Sequence, residues 1–396
     1  MREAMRTAKL FRVEQPIDPD LGVTRFLSTW RRRTGAEPCF LFTDVIGAQL
    51  PLVMNLPTRT ALLREMGLAN APDAIAQLAR RLSIPALPKR GASLATSELA
   101  SLAALPLLRH QPGDAGKYLT AFIGALTCPD TGTTNLGFYR GLVTGEREIV
   151  LFMDPRTDAH RIATTALATA DRVPITLFNG GPLGIYLAAA AKLPRALDSF
   201  DAAARLAGHE LMLASNDFPS APADAEIVIE GHVTRETRAE GPFGEFKGYY
   251  CTPTVSPVIV VDRIAVRDDA YCLGLFCGKR SGLTLMALQN EILLFDHLKR
   301  TGFDIETVRY PLDAFGEYLA IIESEAPSRA MIIAALDFDP RAKLVVAARP
   351  GVDVLKDAII FPAEVERRPY VRRGREEGQR LGVLCDHHSD YRWVEL

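Results

Sequence analysis

The sequence predicts a mixed α/β (α+β) protein built from several domains. Two observations carry this. Short apolar runs of strand type alternate with runs of helical period, and Gly, Pro and Asp clusters separate them along 396 residues. Neither GxGxxG nor GxxxxGK[ST] occurs, so neither a dinucleotide fingerprint nor a P-loop organises the chain. The length fits two or three domains.

In the first part, CFLFTDV (39–45) and QLPLVMN (49–55) read as strands. Thr58 precedes RTALLREMG, a helix capped at Thr58 or Thr60 and ended by Gly67. A further helix covers 72–82, and the Pro/Gly-containing stretch 84–93 reads as a connector. Next, Lys117 to Thr127 reads as one strand leading into the turn Pro129-Asp130-Thr131-Gly132. GFYRGLV (137–143) and REIVLFM (147–153) flank Thr144-Gly145-Glu146 as a hairpin. A helix follows over Ala159 to Arg172, then the buried strand VPITLF (173–178), then Asn179-Gly180-Gly181-Pro182 opening another helix. Ala225–Thr234 and Ser256–Val266 are further strands. This region reads as strand-rich with inserted helices rather than as a doubly wound sheet. Leu283 to Arg300 is the clearest helix: Leu285, Leu288, Ile292 and Phe295 share one face, a core stripe, and Gly302 ends it. A strand (317–323), a helix (328–336) and a strand (343–348) close the pattern, and the Arg-rich tail from 366 reads as solvated or subunit-facing.

Composition narrows the function. Hydrophobic residues make up 48% and charged residues 24%, enough for a sizeable core. A net charge of −2 argues against a nucleic-acid or membrane-surface role driven by charge. Six cysteines without a CxxC pair exclude a zinc ribbon. MREAMRTAKLF lacks the apolar core of a signal peptide, and the apolar stretch Gly181–Ala191 is too short to span a bilayer. The expectation is a cytoplasmic protein with reduced thiols.

The segment Glu240-Gly-Pro-Phe-Gly-Glu245 is the most informative chemically. In an uninterrupted strand its two glutamates would face opposite ways. Pro242 and Gly244 break that regularity and allow both carboxylates into one pocket, where two acids cannot ionise equally and one serves as a proton donor. The alternative is a pair of solvated glutamates flanking a loop. Arg140 stands in an apolar run with Phe138, Tyr139, Leu142 and Val143 and needs an acidic partner if buried. Asn135 lies five residues before it, on the opposite face unless Gly137 permits a bulge. His160 starts a helix. Asp198 and Ser199 stand at a helix start, where capping is the plain reading. His387-His388 reads as exposed rather than metal-binding.

Taken together, LRHQPGDAGKYLT (108–120), CPDTGTTNLGFYR (128–140), VPITLFNGGPLGIYLAAAAKLP (173–194), AEIVIEGHV (225–233) and EGPFGEFKGYY (240–250) resemble, in order, the UbiD family of decarboxylases. That family includes the ubiquinone-pathway decarboxylase and ferulic acid decarboxylase. The resemblance covers roughly residues 10–345. It implies an N-terminal α/β domain (1–105), a central split β-barrel flavin-binding domain (106–282), a linker helix (283–302) and a C-terminal α/β oligomerisation domain (303–396). It also implies prenylated FMN as cofactor. Loss of CO2 from an sp2 carbon leaves a carbanion, and no side chain is a good electron sink.

By motif position the resemblance makes Arg140, Glu240 and Glu245 the catalytic set, with Glu245 as proton donor. It places Asn135, Gly137, Arg140 and His160 at the cofactor. It implies a phosphate clamp of Mn2+ (or Mg2+) and K+, with Asn135 and His160 as ligands. The family's third ligand is a glutamate; this chain reads Leu197-Asp198-Ser199-Phe200 there, with Asp198 as the candidate substitute. The implied partners are a small unsaturated or aromatic acid, a flavin prenyltransferase supplying the cofactor, and further copies of the chain in a homodimer or larger oligomer. Nucleic acid and a membrane span are not expected. The alternative reading is a non-catalytic UbiD-like subunit supporting a (de)carboxylase complex.

Overall fold

The computed structural model describes residues 1–396 except 93–96, 277, 353–363, 373–374 and 386–396. Cys277 and His387-His388 lie outside the described residues. The chain forms two compact units: Met1–Ala69 with Pro85–Leu285, and Asn70–Ile84 with Met286–Leu396. No described helix is long and apolar enough to cross a membrane. The described cysteines 39, 128, 251, 272 and 385 are free thiols.

The first unit begins with a four-stranded sheet, in the order Leu10–Val13, Cys39–Phe42, Leu52–Met54, Cys272–Gly274. The helix Gly22–Thr34 sets Phe26 and Trp30, four residues apart, against it. Phe26 meets Phe40 edge-on at 5.3 Å, and Trp30 meets Phe40 at 5.1 Å. Thr58 caps the helix Arg59–Glu65 by accepting from the Ala61 amide at 3.1 Å, as its sequence position predicts.

The centre of this unit is a nine-stranded sheet. Its path runs Tyr118–Leu119, Gly141–Gly145, Glu148–Leu151, Thr254–Val266, Ala225–Glu240, Arg172–Gly180, Ile123–Thr127, Thr134–Phe138, with Ser97–Glu98 beside Thr254–Val266. The run Lys117–Thr127 is therefore not one strand. Its first piece, at one end of the path, pairs with Gly141–Gly145. Its second piece pairs with Arg172–Gly180 near the other end. Leu119 and Ile123 are four Cα steps apart, so they are separated by no more than about 14 Å. The sheet must curl until its two ends approach, which is the split barrel the resemblance implies.

Three further expectations change. The connector 84–93 contains the strand Lys89–Ala92, parallel to Met212–Ala214; as the edge of a three-stranded sheet it tolerates exposed Lys and Arg. The strand from Ala225 continues to Glu240, because the polar stretch after Thr234 keeps pairing with Thr254–Val266 across a register shift. Polar side chains on a wet face conceal such a continuation from a search for apolar runs. The first hairpin arm breaks at Tyr139-Arg140: Thr134–Phe138 pairs with Ile123–Thr127 in unbroken register, so Gly137 makes no bulge.

The second unit holds the helix Ala74–Ser83, most of the helix Arg280–Arg300, and a five-stranded sheet ordered Thr307–Arg309, Leu319–Glu323, Leu344–Ala348, Arg375–Cys385, Glu364–Arg372. The helix Arg329–Phe338, capped by Ser328, connects the parallel strands Leu319–Glu323 and Leu344–Ala348. The Arg-rich tail is thus partly sheet rather than a solvated segment. Arg380 is buried, and its guanidinium donates to the Ala342 carbonyl (2.7 Å) and the Leu336 carbonyl (2.5 Å) around the end of that helix. Arg329 pairs with Glu366 at 2.6 Å.

Candidate active site

Glu240 is the last residue of the long strand. Gly241, at φ +92°, and Pro242 then turn the chain into the short strand Phe243–Gly244, which pairs antiparallel with Tyr250–Cys251. Glu245 follows. A second segment fixes this turn from behind. The Ala115 amide donates to the Pro242 carbonyl at 2.9 Å. Asp114, buried, accepts from the Gly244 amide with Oδ1 (2.7 Å) and from the His110 and Gln111 amides with Oδ2 (3.1 and 2.8 Å). A Cβ at Gly244 would lie 2.6 Å from Gln111 Cγ, so glycine is needed for this approach.

Arg140 occupies the two-residue link between Thr134–Phe138 and Gly141–Gly145, which frees it from the facing rule of a strand. It reaches both acids. Nε donates to Glu240 Oε1 at 3.0 Å, Nη2 to Glu240 Oε2 at 2.8 Å, and Nη1 to Glu245 Oε1 at 2.7 Å. The guanidinium carbon lies 4.1 Å from the Phe152 ring centroid and 5.4 Å from that of Phe243. Burial opposes the charge of Arg140, but Glu240, followed by Cys251 and Glu245, outweighs it, and its pKa is held above the ordinary value. Side-chain exposure is 0% for Glu240, 10% for Arg140 and 26% for Glu245. Glu245 is therefore the acid that an incoming molecule can meet, and Glu240 is the fixed counter-ion. Of the two sequence alternatives, convergence on one site holds and the pair of solvated glutamates does not.

Two buried polar groups flank the set. Tyr118, 2% exposed, packs its ring 4.7 Å from Phe243, and its hydroxyl is enclosed beside the Glu240 carboxylate. Burial, reinforced by the nearby Glu240 carboxylate, holds its phenol above the ordinary range. His110, also 2% exposed, meets Thr120 Oγ1 through Nε2 at 3.2 Å and leaves Nδ1 unpartnered. Burial lowers its pKa to about 4, with Asp114 opposing. The sequence reading assigned no role to Asp114, Tyr118 or Tyr139. For Asp114 a signal was present, since Pro112-Gly113-Asp114 is a turn signature.

Of the remaining predicted residues, Asn135, Gly137 and Asp198 meet along one seam, and His160 lies on a helix that packs beside it. The helices Asp158–Leu167 and Ser199–Ala207 both pack on the strand Thr134–Phe138, which carries Asn135 and Gly137. Gly137 faces Gly124 across the sheet, and the two leave a slot for the Tyr139 ring. A Cβ at Gly137 would lie 2.5 Å from the Tyr139 hydroxyl, and one at Gly124 2.7 Å from its ring. That hydroxyl donates to Asn135 Oδ1 at 3.1 Å. His160 is half-buried near the start of its helix, and its amide donates to the capping Thr157 hydroxyl at 3.4 Å. Asp198 caps the other helix, accepting from the Phe200 and Asp201 amides with Oδ1 (2.8 and 3.3 Å) and from the Thr134 amide with Oδ2 (2.7 Å). Ser199 Oγ accepts from the Leu136 amide at 3.1 Å. The donor set does not fit a divalent ion: Asp198 has both oxygens engaged by backbone N–H groups, Asp158 at the start of the other helix is paired with Arg195 at 2.8 Å and Arg161 at 3.5 Å, and Ser199 carries a neutral hydroxyl.

A cavity of about 430 Å³ in the same unit is lined by Arg2, Arg64, Glu65, Asp224, Glu226 and Arg267 among others, and by none of Arg140, Glu240 or Glu245.

Residues 88–280 match the UbiD family's 3-octaprenyl-4-hydroxybenzoate carboxy-lyase Rift-related domain. Among solved structures, an evolved dimeric form of the UbiD-class enzyme HmfF from Pelotomaculum thermopropionicum, in complex with prFMN, superposes with a TM-score of 0.87 at 22% identity, covering 100% of this chain and 96% of that one. The 3,4-dihydroxybenzoic acid decarboxylase of Enterobacter cloacae gives 0.85 at 17% identity, covering 100% and 97%. The vanillic acid decarboxylase of Sedimentibacter hydroxybenzoicus, in open form, gives 0.84 at 19% identity, covering 100% and 94%. The stretch that holds Arg140 and both acids is thus a UbiD-family domain, set in a chain that has the fold of UbiD-class enzymes from end to end.

Proposed function

We propose that the protein is a carboxy-lyase that exchanges CO2 on a flat aromatic or α,β-unsaturated acid with the aid of prenylated FMN. The observation that carries this is one guanidinium, Arg140, bridging a buried and a half-buried carboxylate. The residues suit a flavin in one respect: a fixed cation and a proton-donating acid stand together, with the buried Tyr118 hydroxyl behind them. When bound, prenylated FMN supplies the electron sink for the charge left by departing CO2.

The chain's own residues do the rest. Arg140, clamped by Glu240, presents a cation to the substrate carboxylate and orients it. Glu245, the more exposed acid, holds the proton that replaces CO2 at carbon, or removes it in the reverse direction. Phe152 and Phe243 exclude water from the guanidinium and strengthen its field. The same reading makes a flavin prenyltransferase the supplier of the cofactor, and a homodimer or larger homo-oligomer in the cytoplasm the working form.

The test is Glu245→Gln in protein loaded with the cofactor. Exchange of labelled CO2 into the acid should fall by at least about 100-fold, with flavin absorbance unchanged. Unaltered exchange removes Glu245 from the mechanism. A colourless protein that takes up no flavin but captures a second, related subunit favours the supporting-subunit reading instead.

A further inference from the structure

We propose that the seam between Thr134–Leu136 and Asp198–Asp201, where the family resemblance implies a divalent ion, is closed by the protein's own hydrogen bonds and works without a metal. It bears on the cofactor end of the reading above, but it stands on the seam itself. A hard cation such as Mn2+ or Mg2+ needs several oxygen donors, carboxylate among them. Here Asp198 is bonded to the Thr134, Phe200 and Asp201 amides at 2.7, 2.8 and 3.3 Å. Asn135 Oδ1 is taken by the Tyr139 hydroxyl at 3.1 Å, which the paired glycines 124 and 137 position. Ser199, 4% exposed, spends its Oγ on the Leu136 amide at 3.1 Å.

An ion entering this seam would have to displace buried backbone N–H groups from their acceptors. Each one left unsatisfied opposes the ion's entry. The amino end of the helix Ser199–Ala207 also points its partial positive charge at the same place, and two carboxylates, the capping Asp198 and Asp201 in the first turn, already offset it. Ser199 therefore does a different task from a ligand: it bolts the strand Thr134–Phe138 to the helix.

The test uses the full chain without flavin, stripped with chelator and titrated with Mn2+ while the free-ion electron paramagnetic resonance signal is followed. The wild type should show no saturable uptake at this seam below about 1 mM, whereas Ser199→Glu should create one site at least about tenfold tighter, lost again on adding His160→Ala. One equivalent taken up by the wild type at micromolar Mn2+ and lost in Asn135→Ala or His160→Ala overturns the proposal. Uptake that both variants retain lies elsewhere and upholds it. Because no turnover is read, a negative result in the CO2-exchange assay leaves this outcome unaffected, and the two ideas fail separately.

Discussion

Arg140 spreads its donors over two carboxylates that the chain brings from either end of a six-residue loop, and this determines what each acid can do. Glu240 is wholly enclosed and receives two of the guanidinium nitrogens. Glu245 receives one and keeps a free edge. Tyr118 completes the picture from behind: its enclosed hydroxyl stands beside the Glu240 carboxylate and is aimed to donate to it. Tyr118→Phe should therefore lower stability by about 1 kcal/mol in urea unfolding; a variant as stable as the wild type would show that the hydroxyl contributes no bond to Glu240. The charge logic of this site was legible in the sequence, because Arg140 in an apolar run demanded an acid and Pro242 and Gly244 allowed the loop to bend. What the sequence hid was the support. Asp114 reads as an ordinary turn acid until folding places the Gly244 amide against it. The Asn135–Tyr139 bond depends on a slot between two glycines in different strands, a pairing that no local pattern reveals.

Among the elements, helices with capped starts were read closely and strands with mixed faces were not. Thr58 and Ser328 announce their helices through side chains that satisfy free amides. The apolar pattern of the strand Ala225–Glu240 stops at Thr234 because Arg235–Ala239 are polar or exposed, although that extension is what delivers the buried Glu240 to the site. The helix Ser199–Ala207 depends on Asp198 for both its cap and its bond to Thr134. Asp198→Ala should cost about 1–2 kcal/mol of stability, more than an isolated cap gives in a free peptide. Calorimetry would check this, and a variant as stable as the wild type would mean that water replaces the carboxylate without loss.

For the molecule as a whole, His110 adds a pH dependence of definite sign. Its folded pKa, near 4, lies below the usual 6.5, so the unfolded chain binds the proton more readily between those values. Stability from keeping this ring neutral is complete above about pH 6.5 and is lost as pH falls toward 4, by about 3 kcal/mol in all. His110→Asn should therefore narrow the stability gap between pH 7.5 and pH 5, and equal gaps in both proteins would rule His110 out as the source. The assignment of residues to the two units has a further consequence. Asn70–Ile84 is housed with the C-terminal residues, while the chain on either side of it belongs to the other unit. A protease nick near Leu285 would thus leave the larger fragment owning the helix Ala74–Ser83, which packs against the strand Thr307–Arg309 of the smaller one. The fragments should stay associated after cleavage, and a gene cut at the same point should yield two pieces that are soluble only when made together.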